Sequence, residues 1–386
     1  MKHLTSITCR LLLLSLLAVS ASVSASAQRT QAAGFDDDWV FWGYPAVYLN
    51  YQAKMAYPLI DKMLQAYPPA VETDKHRQLA LVTLDQFLHD ADYYRRDAFY
   101  PFVNVRMARM LDAMDETVLS GVRVYKLYNS GFILKTLKTT VAIDIVPGGE
   151  NYKALLTDSV IGEIADRCDM LLVTNSDSKH ANRKVANAFV EAGKKVIVPK
   201  GLWSNLGETV VATGEEDDDE GIDLGAVTLH ILPGHNGNVR NNVYIMDFKG
   251  RGIVAHTGAQ DNNSDWEWID RIHDQYNIDI LLTKSQNIYL DAMLKGFQPR
   301  LVITSHENEM ESTVDRRESY WTTQKRMKSL AELGIPNVVM TWGEAFDYAD
   351  SESKNISSSA NKVLIDGHIY IERKGSIYTP SGIKVK

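Results

Sequence analysis

Apolar residues recur along this chain with two different periods, and the change falls near Gly121. From Phe35 to about Ser120 the spacing is helical. Ala80, Leu84, Phe87, Leu88 and Ala91 share one face, as do Met107, Met110, Leu111 and Met114 behind Pro101, a first-turn proline. After Gly121 come short β-rich runs, Val122–Leu127, Phe132–Leu137 and Val141–Val146, separated by Asn129-Ser130-Gly131 and Pro147-Gly148-Gly149. Helices and strands then alternate. A helix over Ser159–Arg167 precedes the strand Met170–Thr174, and a helix over Ala181–Ala192 precedes Lys195–Pro199. Further strands are expected at Val227–Leu232, Val243–Phe248, Gly252–His256, Ile278–Leu282, Leu301–Ser305 and Val338–Thr341. Hairpins mixed with βα units predict two sheets covered by helices, an α/β sandwich. Asp366-Gly367 and Lys374-Gly375 punctuate a tail, 351–386, read as C-terminal β-hairpins.

The first residues carry a different pattern. Lys2 and Arg10 precede the apolar run Leu11–Val19, and Ala25-Ser26-Ala27 follows it. This is the order of a secretory signal peptide, 1–27, and it predicts a periplasmic or secreted protein; the competing reading is a buried N-terminal helix. The run is too short to span a bilayer core, which takes ~20 apolar residues, so no transmembrane segment is expected after signal removal. Within 28–120, the Trp- and Tyr-rich stretch Trp39 to Tyr57 reads as a helical layer docked through its aromatics, rather than as a carbohydrate-stacking surface.

Composition narrows the function. The 386 residues hold 41 Lys+Arg against 49 Asp+Glu, a net charge of −8, with 45% hydrophobic residues. These proportions describe a folded chain rather than a disordered one, and the acidic balance argues against nucleic acid as partner. Of two cysteines only Cys168 follows the signal segment, so no disulfide framework exists, and Cys168 reads as a small apolar residue. The acidic run Glu215–Glu220 reads as a solvated loop. No Gly-x-Ser-x-Gly elbow is present to activate Ser130 or Ser305.

Candidate chemistry gathers where strands end. Met170–Thr174 runs into Asn175-Ser176-Asp177-Ser178-Lys179-His180; Val227–Leu232 into Pro233-Gly234-His235; Gly252–Ala255 into His256-Thr257-Gly258-Ala259; and Leu301–Thr304 into Ser305-His306-Glu307-Asn308-Glu309. Four of ten histidines therefore sit beside strand ends. Asp177 with Glu307 or Glu309 would also offer paired carboxyls for acid/base work, were they to converge.

In this order the chain resembles the metallo-β-lactamase superfamily, over roughly Gly121 to Asp350, and within it the ascorbate-lactonase-like hydrolases. That pattern has an Asp after an early strand (Asp144 here), then His-x-His-x-Asp-His, a lone His (His235), a bridging Asp in a Gly-Asp turn, and a final His (His306). The resemblance implies a metallo-β-lactamase-like αββα sandwich, 121–350, preceded by the N-terminal helical region. It implies hydrolysis of an ester, lactone or amide bond, with a divalent ion as Lewis acid and source of the nucleophile. Departures fall on the ligands. The string reads Asn175-x-Asp177-x-Lys179-His180, and the bridging position reads Ala259. Asp177, His180, His235 and His306 remain as candidate ligands. If the Lys179 ammonium lay ~4 Å from a dication, repulsion at an effective dielectric of ~20 would be roughly 8 kcal/mol.

The expectation is therefore no ion, or one of zinc or manganese type, with a dinuclear centre disfavoured. The leading reading is an exported, diverged hydrolase with a degraded site and weak or no activity, kept for binding a small-molecule or carbohydrate-derived ligand. On this reading Asp177, Lys179 and His180 hold the catalytic positions, and Asn175 and Glu307 the binding positions. One alternative is an active hydrolase using a single ion or a rearranged metal-free site. Another is a structural partner in a cell-envelope complex.

Overall fold

The computed structural model describes residues 45–149, 153–207, 210–213, 221–332, 334–349, 360–365, 368–373 and 376–378. The signal segment, residues up to 44 of the helical region, the acidic run Glu215–Glu220 and the two C-terminal turns lie outside them. The chain opens with three helices, α1 (Pro45–Ala66), α2 (Lys75–Leu88) and α3 (Phe99–Met114). The stripe expected on α3, Met107, Met110, Leu111 and Met114, is buried; on α2, Ala80, Leu84 and Leu88 are buried and Phe87 half-buried, but the helix ends at Leu88 and leaves Ala91 exposed beyond it. Tyr57 is buried against the rings of Phe87, Phe99 and Phe102, so this aromatic packs inside the layer.

Two seven-stranded sheets follow. The first contains β1 (Val122–Lys126), β2 (Phe132–Lys135), β3 (Thr140–Ile143), β4 (Met170–Leu172), β5 (Lys195–Pro199), β6 (Val210–Thr213) and β14 (Ala345–Tyr348), in the order β14-β1-β2-β3-β4-β5-β6. The second contains β7 (Ile222–Asp223), β8 (Thr228–Asn236), β9 (Val239–Asp247), β10 (Ile253–His256), β11 (Ile280–Lys284), β12 (Leu301–Ser305) and β13 (Asn337–Val338), in the order β13-β12-β11-β10-β9-β8-β7. Each sheet has an antiparallel half and a parallel half.

Period-2 alternation builds the sandwich. Val124, Leu134, Val141 and Ile143 of one sheet meet Leu229, Tyr244, Val254 and Ile303 of the other in a core between the sheets. Alternate residues face outward beneath the helices on the two outer sides, Tyr125 and Leu171 from the first sheet and Leu281 and Val302 from the second. There α4 (Asp158–Arg167), α5 (Arg183–Glu191), α8 (Leu290–Phe297) and α9 (Tyr320–Glu332) cover them with the N-terminal helices. The short helices α6 (Trp266–Ile269) and α7 (Ile272–Gln275) complete this layer. Burial on both faces explains why these strands read as apolar runs. The metallo-β-lactamase-like αββα sandwich is thus the architecture found. A separate antiparallel sheet of β15 (Ala360–Ile365), β16 (His368–Arg373) and β17 (Ser376–Tyr378) follows.

Two expectations shift. The strand expected at Val227–Leu232 continues through Pro233-Gly234-His235, because the β8–β9 hairpin stays paired as far as Asn236 opposite Val239. His235 is therefore a strand residue near a hairpin tip rather than a loop residue. The strand expected at Val338–Thr341 is only Asn337–Val338; beyond it, Thr341 and Glu344 are bonded to each other.

Candidate functional site

The polar segments expected to meet do so along one rim of the sandwich, where β3, β4, β10 and β12 end. Asp144, directly after β3, is fully buried with φ 49°. Its carboxylate accepts bonds from Thr174 N at 2.8 Å and Thr174 Oγ1 at 2.7 Å, and holds His180 Nδ1 at 2.7 Å. Burial alone would raise its pKa, but His180, His256 and Thr174 outweigh that and keep it below the usual carboxylate range. With Nδ1 engaged by Asp144, Nε2 is the ring nitrogen that His180 has left to offer.

Opposite it, His306 (φ 69°) places Nδ1 2.5 Å from Glu309 Oε1, and its ring centroid lies 5.0 Å from that of His180. Burial drives the His306 pKa down to about 3, so the ring is neutral, and its buried Nε2 has no hydrogen-bond partner. The other Glu309 oxygen accepts from Lys179 Nζ at 2.5 Å and Ser312 Oγ at 3.1 Å. Against its burial, His306 and Lys179 hold the Glu309 carboxyl far below its ordinary range.

Asn175 is spent on structure. Its Nδ2 donates to Asn241 Oδ1 at 3.0 Å, and its Oδ1 accepts from Asp177 N at 2.9 Å. Asn241 also accepts from Ala259 N at 3.0 Å and donates to Thr257 O at 2.9 Å, so amides tie the β4 and β10 ends together. Gly258 (φ 55°) belongs to this tie, since a Cβ there would lie 2.5 Å from Asn241 Oδ1. Asp177 itself is exposed, its carboxylate accepting from Lys179 N. His235, one-third exposed, pairs through Nδ1 with Asp265 at 3.1 Å and is steadied by Gln260, which bonds both His235 N and Asp265. Glu307 is buried, its oxygens without hydrogen-bond partners; burial raises its pKa against the pull of the buried Lys126 ammonium. That ammonium donates to the carbonyls of Leu127 and Asn129, and burial lowers its pKa to about 8.

Nucleophile chemistry at Ser130 has no base. His256 Nδ1 accepts from Gly258 N at 3.0 Å, so Nε2 carries the proton and faces Ser130 O at 3.1 Å. Burial also raises the thiol pKa of Cys168 well above its usual value, consistent with a packing role.

A cavity of about 410 Å³ opens beside Lys179. Its lining includes Val146, Pro147, Gly148 and Gly149 after β3, Ser178 and Lys179 after β4, and Glu311. Glu311 accepts from Gly149 N at 2.6 Å and from Tyr128 Oη, which fixes the glycine loop. Thr174, Asn241, Gln260, Asp265 and Lys126 escape the motif reading. The one visible signal is Asn241-Asn242 inside an otherwise apolar strand, where asparagine is disfavoured.

The donor set does not fit a dinuclear metal centre. Asn175 and Ala259 supply no anionic or imidazole ligand, and Lys179 brings a cation against Glu309. Among the described residues no three His, Cys, Asp or Glu side chains are grouped to hold an ion, Asp177, His180, His235 and His306 included. Nor, among them, is any helix long and apolar enough to cross a membrane.

No protein-family model matches the sequence, and no curated protein does. Among solved structures the chain is similar to the diiron β-hydroxylase CmlA from Streptomyces venezuelae, at 15% identity and TM-score 0.44. That match covers 61% of this chain and 55% of the hydroxylase, so the chain spans about half the hydroxylase's length. It is also similar to Igni18, a metallo hydrolase from Ignicoccus hospitalis KIN4/I, at 15% identity and TM-score 0.43, covering 59% of this chain and 99% of that one. A third is the metallo-β-lactamase fold protein YhfI from Bacillus subtilis, at 10% identity and TM-score 0.41, covering 59% and 99%.

Proposed function

We propose that this chain is an exported protein diverged from metal-dependent hydrolases of ester, lactone or amide bonds. It lacks a dinuclear centre, has weak or no hydrolase activity, and binds a small-molecule or carbohydrate-derived ligand in the cavity beside Lys179. The observation that carries this reading is the chain of contacts from Lys179 through Glu309 to His306, which commits a cation and a carboxylate to each other at the heart of the rim. The cavity supports binding because its lining combines apolar Val146, Pro147 and Leu156 with polar Ser178 and Lys179, the mixture small-ligand sites use. Export rests on the order of charges, apolar run and Ala25-Ser26-Ala27 in the sequence. The ascorbate-lactonase-like affinity rests on the motif order alone. Elemental analysis of the purified mature chain is the test: far less than two equivalents of zinc, manganese or iron is expected, and two tightly held ions overturn the reading.

A second reading has one observation in its favour. His180 and His306 are both gripped at Nδ1 and face each other, an arrangement that leaves two imidazole nitrogens for a single ion. A hydrolase working with one ion would show one equivalent of metal, and ester or lactone cleavage that a chelator abolishes.

A further inference from the structure

We infer that Lys179 is a built-in cation standing in for a metal ion, and that its charge is what excludes metal from the rim. This rests on the proposed descent from metal-dependent hydrolases, and adds to it which residue closes the site to ions. Part of what would orient ligands around an ion is present, although the described residues group no three such ligands. Asp144 grips His180 and Glu309 grips His306, each through Nδ1, at 2.7 and 2.5 Å. A carboxylate on one imidazole nitrogen is the device that aims the other nitrogen at a metal. The two rings lie 5.0 Å apart between centroids, and the Nε2 of His306 is buried without a partner. Glu309 supplies a buried carboxyl, and a positive charge is what an ionised carboxylate requires when buried.

That charge comes from Lys179, 2.5 Å from Glu309 Oε2. The ammonium does for Glu309 what a dication would do, with one charge rather than two and three N–H donors instead of empty orbitals. One donor goes to Glu309, and the side chain, about one-third exposed, reaches the rim of the cavity. An ion arriving near His180 and His306 would have to approach a like charge, and would find Glu309 already neutralised. Exclusion is therefore a matter of charge as well as of missing ligands.

Zinc chloride is the probe, titrated calorimetrically into the full mature chain and into variants shown to be folded by circular dichroism. Lys179→Asp removes the cation and adds a carboxylate, and should bind one zinc per chain about tenfold or more tighter than wild type. It should also gain a chelator-reversible rise in melting temperature. Zinc should shift the side-chain ¹⁵N resonances of His180 and His306 in the variants that lose the cation, and in neither wild type nor Lys179→Arg. Lys179→Met should move affinity the same way by less, and Lys179→Arg, which keeps the charge, should exclude zinc as wild type does. Lys179→Met also serves as the second variant if Lys179→Asp fails to fold. Folded variants without the cation that bind zinc no better than wild type overturn the inference and leave the proposed function standing. Wild type binding one zinc as tightly as Lys179→Asp also overturns the inference alone, whereas two tightly held ions in wild type overturn the proposed function itself.

Discussion

Two regions bury charge, and they do it differently. Where the N-terminal helices meet the sandwich, Arg77 donates to both oxygens of Glu344 at 2.8 and 2.6 Å, and to the carbonyls of Tyr67 and Val339. Beside it Arg106 donates to Trp342 O, Asp61 Oδ1 and Thr341 Oγ1. At the rim, Lys179, Glu309 and His306 form a shorter chain. It ends in the Nε2 of His306, buried without a hydrogen-bond partner. Buried polar groups in structural positions are satisfied nearly everywhere. Completeness therefore marks the first cluster as adhesive, while leftover valence distinguishes the second, the region to which the proposed function assigns binding.

The largest effect should come from breaking the completed cluster. Arg77→Met leaves Glu344 charged and buried, and should cost about 3–5 kcal/mol in urea denaturation. A loss below ~1 kcal/mol would mean that the helical layer is held by apolar packing alone and would end the contrast. Next in size is acidification. Burial takes the pKa of His256 down to about 4, against 6.5 in the unfolded chain. The unfolded state therefore takes up the proton first. Stability from this group is fully present above about pH 6.5 and is lost as the pH falls towards 4, by up to ~3 kcal/mol. Glu344, held below its usual range because Arg77 outweighs its burial, loses its contribution at lower pH still. Melting curves for wild type and His256→Asn between pH 7 and 4 check this, with a flatter pH dependence expected for the variant.

Third, Asn175→His, Asp177→His, Lys179→Asp and Ala259→Asp together restore the ligand pattern of the resembled family around His180, His235 and His306. If the rim is still shaped for ions, the quadruple variant should bind two and gain about 2.7 kcal/mol for each ion when metal stands at a hundredfold over its dissociation constant. Metal stoichiometry and melting temperature, with and without chelator, are the measurements; a folded variant with no added metal would show a rim reshaped beyond the first ligands. The smallest effect links the two regions. Asp85 on α2 accepts from Asn308 Nδ2 at 2.9 Å and from Tyr320 N and Trp321 N at 2.8 and 2.9 Å, capping α9 and bracing the loop after His306. Asp85→Asn should cost ~1–3 kcal/mol in chemical denaturation and should shift the His306 imidazole resonances. A stability loss that leaves those resonances unmoved would separate the two regions after all.

Periodicity made the layers legible, because strands buried on both faces and helices with one apolar stripe write their geometry into residue spacing. The rim was legible only where a side chain stood beside a strand end, as His180 and His306 do. The partners that decide their chemistry were not. Asp265 reaches His235 across 30 residues, and Lys179 reaches Glu309 across 130. Such pairings are set by packing and leave no local pattern. His235 itself was misplaced, since Pro233-Gly234 reads as a break although the β8–β9 hairpin carries the strand through it.

The pairing of β1 with β14 has a temporal meaning. Arg123 meets Asp347 across 224 residues, and the helical layer likewise waits for Glu344, 267 residues beyond Arg77. A chain emerging from its N-terminus therefore has its first strand and its first helices long before their partners exist. Contacts of such sequence separation close slowly, and until they close, β1 offers one open strand edge to any neighbour. Docking of β1 and of the helical layer waits for Glu344 and β14, so a chaperone that shields β1 and the apolar faces of α2 and α3 should raise folding yield, and a chain halted before β14 should aggregate.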